Sequence, residues 1–236
     1  MYNQFMQAVI LAAGRGTRMK ELTERLPKAL LPLGKKTLLE YEFDALPDEI
    51  DEVIVVVGYL GGLIHERFGG EWNGKRMLYV EQDKLDGTAG ALWRTKDILH
   101  DRFVVMMSDD LYAKSDVEKC IQEKDWVLLV QHRDEIRSKG KVEVDKHGLI
   151  LKVTEGNHGA TPGLLGTNLL VLDTRIFKNH MVRKAPGSDE FGLPQTVIEA
   201  AKKLDIPFRA VKTDKWFEIT SPEDLKKAEE LLEDSA

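Results

Sequence analysis

Cysteine is nearly missing from this chain: Cys120 stands alone among 236 residues. One thiol cannot close an internal disulfide, and such sparing use fits a reducing cytosol. Residues 117–121 look helical and carry no histidine, so Cys120 is expected to be a buried core thiol. The six histidines are scattered, with no H-x-x-x-H and no cysteine pairing, which argues against zinc. Long apolar runs are absent too. The opening run, residues 8–13, is far short of a membrane span, and no basic segment precedes it as in a signal peptide. There is no G-x-S-x-G elbow for a nucleophilic serine, no repeat, no low-complexity tract and no linker that would divide the chain. Positive charge is not in excess. Lys and Arg number 34 against 40 Asp and Glu, a net −6 that excludes a general nucleic-acid binder.

What remains is a chain able to bury a full core, 42% apolar and 31% charged. Its charge is unevenly spread. Residues 11–40 hold seven Lys/Arg against three Asp/Glu, whereas the tail from Ser221 holds six acids against two lysines. A basic neighbourhood in an acidic protein attracts a small polyanion locally. The tail reads as a solvated amphipathic helix.

Apolar, β-branched runs alternate with helical patterns, the arrangement of a βαβ-wound sheet. Strands are expected over 7–11, 52–57, 77–80, 103–107 and 126–131, with helices over 37–46, 60–68, 88–99 and 115–123 between them. Lys146-His147-Gly148 marks a hairpin joining 141–145 and 149–153. A loop over 156–163 then leads to a long strand over 164–173. Helices over 174–181 and 193–204, a strand over 208–211 and a last helix complete the pattern. Ser221-Pro222-Glu223-Asp224 opens that helix with a cap, a proline at the first position and acids in the first turn. The reading is one α/β domain, Rossmann-like, with a mixed, mostly parallel sheet and helices on both faces. The character of the chain changes at about residue 135, from strands alternating with helices to a half that opens on the hairpin.

The most informative stretch runs from Leu11 through Ala13, Gly14, Arg15, Gly16, Thr17 and Arg18 to Met19, followed by Pro27-Lys28-Ala29-Leu30-Leu31-Pro32. Gly14 and Gly16 carry no Cβ and can take positive φ, so an anion can sit on their backbone N–H groups. Arg15 and Arg18 offer fixed forks of donors, and Lys28 a mobile charge, all suited to the oxygens of a nucleoside triphosphate. Neither common phosphate loop fits. Met19 stands where G-x-G-x-x-G needs its third glycine, and Ala29 and Lys36 break the G-x-x-x-x-G-K-[ST] pattern around Gly34-Lys35.

Ser108-Asp109-Asp110 follows a buried strand, at the sheet edge where open α/β folds bind ligands. Hard oxygens there suit Mg²⁺ bridging to phosphate. Val80-Glu81-Gln82 followed by Leu85-Asp86-Gly87-Thr88-Ala89-Gly90 again feeds a strand into a glycine turn and a helix. The fourth segment is Trp216-Phe217-Glu218-Ile219-Thr220-Ser221-Pro222-Glu223-Asp224-Leu225.

Together these segments resemble the sugar-1-phosphate nucleotidylyltransferases, whose pattern G-x-G-T-R-M…P-K-A-L-L-P-L is met by residues 14–33. The resemblance spans most of the chain and implies a GT-A-like fold and Mg²⁺-dependent joining of a nucleoside triphosphate to a phosphorylated small molecule. It implies that Asp109 holds the metal, that Glu218 is the second ligand in place of the family's aspartate, and that Arg15 and Lys28 are catalytic. Leu11, Ala13, Gly14, Gly16 and Thr17 would bind the nucleotide, with Gln82, Gly87 and Thr88 reading its base. Gly140, Glu155 and Asn168 fall at acceptor positions. The family's lysine after the glutamate is replaced by Gly156, so Lys152 or Lys139 is expected to hold the acceptor phosphate. A β-helix domain, with its acyltransferase activity, is not expected. Two alternatives stand beside this reading. One is a cytidylyltransferase for choline phosphate, with aromatic residues near Trp216 caging the ammonium. The other is a non-catalytic nucleotide-sensing subunit, against which the intact Arg15, Lys28 and Asp109 argue.

Overall fold

A computed structural model describes residues 6–137 and 140–233. Its centre is a parallel sheet of β1 (Met6–Ala12), β2 (Ile50–Val57), β3 (Lys75–Glu81) and β4 (Arg102–Met107). β1 lies between β2 and β4, and β3 flanks β2. Side chains alternate across this sheet, and both sets are buried. Ala8, Ile10 and Ala12 of β1 pack with one core, whereas Val9, Leu11 and Ala13 join the other. The first core is closed by α1 (Leu38–Ala45), α2 (Gly61–Phe68) and α4 (Lys114–Gln122), which supply Phe43, Ile64, Phe68 and Val117. The second is closed by α3 (Thr88–Trp93) and α5 (Leu193–Leu204). This explains why the strands read as continuous apolar runs. α1 starts where Thr37 and Glu40 form a reciprocal capping box.

The second half adds β5 (Trp126–Ile136), β6 (Lys141–Val144), β7 (Ile150–Thr154), β8 (Thr161–Asp173) and β9 (Phe208–Thr213). β8 runs antiparallel to β4 through Leu170–Asp173, and its earlier residues pair with β6. β5 lies along its other edge, and β9 runs parallel to β5. Among the described residues the result, with a short edge strand Glu71–Trp72 antiparallel to β3, is a mixed sheet of ten strands, mostly parallel at its centre and antiparallel around β8. A final helix, α6 (Pro222–Glu233), packs Leu225, Ala228 and Leu232 onto Met19, Leu31, Leu33, Leu38 and Ile219.

Three local expectations change. Thr161–Gly163, expected in a loop, are strand, because β5 continues to Ile136 and pairs with them. The helix expected over 174–181 is a 3₁₀ turn, Thr174–Lys178. The Asp173 carboxylate caps it through the Arg175 N–H at 2.9 Å, and Asn179 is already extended. Regular helix after Thr88 ends at Trp93. Cys120 is fully buried, and burial pushes its thiol up to about 12. Among the described residues no helix is long and apolar enough to cross a membrane.

Candidate active site

β1 ends at the carboxyl edge of the parallel sheet and delivers the glycine turn there. Gly16 takes φ 63° and ψ 30°, and its carbonyl accepts from the Met19 N–H at 2.8 Å and the Thr23 hydroxyl at 3.0 Å. A Cβ at this position would lie 3.0 Å from the Lys28 Cβ and 3.1 Å from the Thr23 Cγ2, so both backbone and space demand glycine. Gly14 differs from the expectation: it is outside the left-handed region and faces open space. It therefore serves as bare backbone rather than as a turn former. Gly58, which sequence reading passed over, is needed for packing, since a Cβ there would lie 2.7 Å from the Ala13 carbonyl oxygen.

A cleft of about 450 Å³ opens over the carboxyl ends of β1, β3 and β4. It gathers Leu11, Ala13, Gly14, Arg15, Gly16 and Thr17 from the first segment, Gln82, Gly87 and Thr88 from the third, and Asp109 from the end of β4. Lys28 and Glu218 line it too, so every expected nucleotide and catalytic position meets at one place. Arg15 is exposed, with its guanidinium 5.8 Å from the centre of the Tyr59 ring. Lys28 is buried, and its ammonium donates to Asp109 Oδ2 at 2.5 Å and to the carbonyl of Ile219. One lysine thus ties the end of β4 to the segment carrying Glu218.

That segment is anchored again by a two-residue ladder, Asp110–Leu111 against Phe217–Glu218, with Asp110 opposite Glu218. The neighbouring acids then divide. Asp109, Asp110 and Glu218 all line the cleft, but Asp110 is nearly buried and its carboxylate accepts from Trp216 Nε1 at 3.2 Å. Burial raises the Asp110 pKa well above the usual carboxylate range, and the charges of Asp109 and Glu218 raise it further. The Tyr112 hydroxyl, 3.2 Å from Asp110, gives its one proton to the Thr167 carbonyl at 2.7 Å. A protonated Asp110 can then donate to the Tyr112 oxygen. Glu42 of α1 lies behind this group, fully buried and without a hydrogen-bond partner of normal geometry, although the Asp110 backbone faces it. Burial, then Asp110 and Asp109, push its carboxyl well up.

Among the described residues no three His, Cys, Asp or Glu side chains form a ready metal cage. Asp109 and Glu218 supply two hard carboxylates and no soft ligand. This donor set fits Mg²⁺, which takes one or two carboxylates and completes its shell with water and phosphate oxygens.

A second cleft of about 250 Å³ adjoins the first and shares Arg18, Thr88, Asn168, Lys184 and Glu218 with it. Gly140 and Glu155 both line it, and a Cβ on Gly140 would lie 3.1 Å from Glu155 Oε1. Asn168 adopts φ 60° where the β8–β5 register jumps between Gly166 and Leu170, a bulge that brings it to the junction of the clefts. Lys152 does not reach either cleft: it lies on β7, opposite Glu143. Lys139 lies outside the described residues. The cations at the junction are instead Arg18 and Lys184. No local pattern marks Lys184. It comes into place because residues 182–192 fold over the second glycine turn, with the Phe191 N–H donating to the Asp86 carbonyl at 2.7 Å and Ala89 N–H donating to the Phe191 carbonyl at 3.1 Å. Trp216 also lines the second cleft, but the Arg133 guanidinium stands 5.4 Å over its ring.

Known proteins match the sequence and the fold of this chain. A family model described as Nucleotidyl transferase covers residues 7–235. The chain belongs to this family. It is 28% identical to the UTP–glucose-1-phosphate uridylyltransferase AglF of Haloferax volcanii, over 97% of each chain. It is also 28% identical to a choline-phosphate cytidylyltransferase of Streptococcus pneumoniae, over 96% of this chain and 98% of that one. The fold matches a putative glucose-1-phosphate thymidylyltransferase of Bacillus anthracis with a TM-score of 0.82, at 23% identity over 97% of this chain and 96% of that one. This nucleotidyl transferase is thus related over nearly all of its sequence to proteins named for different bases and acceptors.

Proposed function

We propose that this nucleotidyl transferase joins a nucleoside triphosphate to a sugar 1-phosphate, releasing pyrophosphate, with Mg²⁺ and in the cytoplasm. The observation that carries the reading is the continuity of the two clefts, which meet at Arg18, Lys184, Asn168 and Glu218. A triphosphate along residues 11–19 would bring its α-phosphorus to this junction, and a sugar phosphate beside Gly140, Glu155 and Asn168 would bring its phosphate to the same point. The half up to about residue 135 then holds the nucleotide and the rest completes the acceptor site.

An acceptor phosphate oxygen attacks the α-phosphorus, and the bond to the departing pyrophosphate breaks in line, so the protein must position and neutralise charge. The backbone of residues 13–17 receives the phosphates, and Arg15 neutralises the charge that develops on pyrophosphate. Lys28 holds the α-phosphate or the acceptor phosphate while keeping Asp109 beside the Glu218 segment. Asp109 and Glu218 would hold Mg²⁺, which supplies charge neutralisation on the phosphates being joined.

The test is pyrophosphate release with Mg²⁺, crossing five nucleoside triphosphates against hexose 1-phosphates, N-acetylhexosamine 1-phosphates and choline phosphate. One productive sugar-phosphate pair is expected. Arg15→Ala and Asp109→Ala should each lower turnover by about 10²–10³-fold without unfolding the protein. Activity within a few-fold of wild type in either variant would overturn the assignment. A second reading, cytidylyl transfer to choline phosphate, is favoured by the likeness to the streptococcal enzyme and by Gly156 in place of a lysine. Against it, Arg133 already occupies one face of Trp216, where an ammonium cage would need an open ring. Tight triphosphate binding with silence across the whole matrix would point to a sensing subunit.

A further inference from the structure

The turn between β2 and α2, residues 58–60, stands against both ends of the segment that follows β1. Its backbone has little room to shift. A Cβ on Gly58 would lie 2.7 Å from the Ala13 carbonyl oxygen, and one on Gly61 would lie 2.7 Å from the Val57 Cβ. Leu60 takes φ 55°, and the Gly61 N–H closes the turn on the Gly58 carbonyl at 3.0 Å. Tyr59 is thereby fixed in place. Its hydroxyl donates to the Glu24 carbonyl at 2.8 Å, at the far end of the segment from Ala13. Its ring centre lies 5.8 Å from the Arg15 guanidinium, and among the described residues no carboxylate pairs with Arg15. This choice of neighbour matters. A carboxylate would hold the guanidinium but offset the charge that a phosphate needs, whereas an aromatic face holds it through the ring quadrupole and leaves the charge whole. An arginine with no neighbour would surrender the rotamer freedom of a long side chain on meeting its ligand.

We propose that the Tyr59 ring is a platform that positions Arg15 for an anionic phosphate group, and that Arg15 stays on it when phosphate is bound. Tyr59 touches no substrate in this scheme; it is a positioning residue that acts through Arg15. The bond from its hydroxyl to Glu24 steadies the ring and is secondary. The inference rests on the reading that the segment after β1 receives a triphosphate and that Arg15 neutralises its pyrophosphate end.

The experiment is titration calorimetry of inorganic pyrophosphate with Mg²⁺, a probe that carries neither base nor acceptor. It is titrated into the intact protein, Tyr59→Leu, Tyr59→Phe, Arg15→Ala and the double variant Arg15→Ala/Tyr59→Leu. Tyr59→Leu should weaken binding about 3–10-fold. Tyr59→Phe, which keeps the ring, should stay within about twofold of wild type. In the Arg15→Ala background, Tyr59→Leu should cost nothing further. A merely structural role would not give that result, because a loosened segment binds less well whether or not Arg15 is present. If Tyr59→Leu does not fold, Tyr59→Gln carries the same comparison. Tyr59→Leu that binds as well as wild type would show that the ring does nothing, and tighter binding would show that it parks Arg15 away from phosphate; either would overturn the proposal. Equal losses with and without Arg15, or a Tyr59→Phe as weak as Tyr59→Leu, would overturn it too. All of these leave the phosphate reading standing. Folded wild type that binds no pyrophosphate, or Arg15→Ala that binds it as wild type does, would instead overturn the placement of the triphosphate on this segment, and the platform with it.

Discussion

Three acids stand at or behind the end of β4, and their surroundings give them different work. Asp109 pairs with Lys28 at 2.5 Å and is the more open of the two neighbours, whereas Asp110, nearly buried at the cleft wall, and Glu42, fully buried behind it, have raised pKa values. The adjacency of Asp109 and Asp110 was legible in the sequence, but their division was not, because it depends on Trp216 and Tyr112 arriving from distant segments. Glu42 carried no signal at all: a glutamate in an amphipathic helix reads as surface. Its buried carboxyl makes a pH prediction. A carboxyl whose folded pKa lies above its ordinary 4.5 favours the folded state below that pH and costs stability as pH rises through the folded value. Glu42→Gln, with no charge to bury, should therefore gain stability over wild type at pH 8 and gain much less at pH 4. Urea midpoints at the two pH values measure this. An equal effect at both would show that the Glu42 charge costs nothing.

At the scale of elements, caps and periodicity were readable where they are local. α6 is the clearest instance. The Ser221 hydroxyl accepts from the Asp224 N–H at 3.2 Å, and Asp224 Oδ2 accepts from the N–H groups of Ser221 at 2.9 Å and Thr220 at 3.1 Å. Burial works to raise the Asp224 pKa, but the hydroxyls of Thr220 and Ser221, donating to Oδ2 at 2.8 and 3.0 Å, together with these N–H groups outweigh it and hold the carboxyl below its usual value. Asp224→Ala should cost about 1 kcal/mol, read as a lower urea midpoint at pH 7. Because α6 covers Ile219, next to Glu218, the same variant should raise KM more than it lowers kcat. Elements set by partners were harder. Thr161–Gly163 look like turn residues, yet β5 recruits them into the sheet. The bulge that presents Asn168 exists only because Gly166 and Leu170 are held in different registers against β5.

At the scale of the whole molecule, the cleft joins the ends of β1, β3 and β4 to the Glu218 segment, so a ligand that spans them should brace the fold. A matching nucleoside triphosphate at 100 times its Kd should add about 2.7 kcal/mol of stability, and Tm should rise with ligand concentration. An unchanged Tm under saturating UTP, GTP and CTP would mean that none is held by the folded state. The sequence by itself determined what short-range chemistry can specify: the parallel centre of the sheet, the glycine turn after β1, the acids at the end of β4 and the start of α6. Each rests on residues within a few positions of one another, where backbone freedom, capping and hydrophobic period act directly. Tertiary structure alone decided that Lys28 joins Asp109 to Ile219, that Lys184 rather than Lys152 stands between the clefts, and that the Tyr59 ring stands beside Arg15. Long-range packing and the local dielectric create those relations, and they arise only when the chain closes around them.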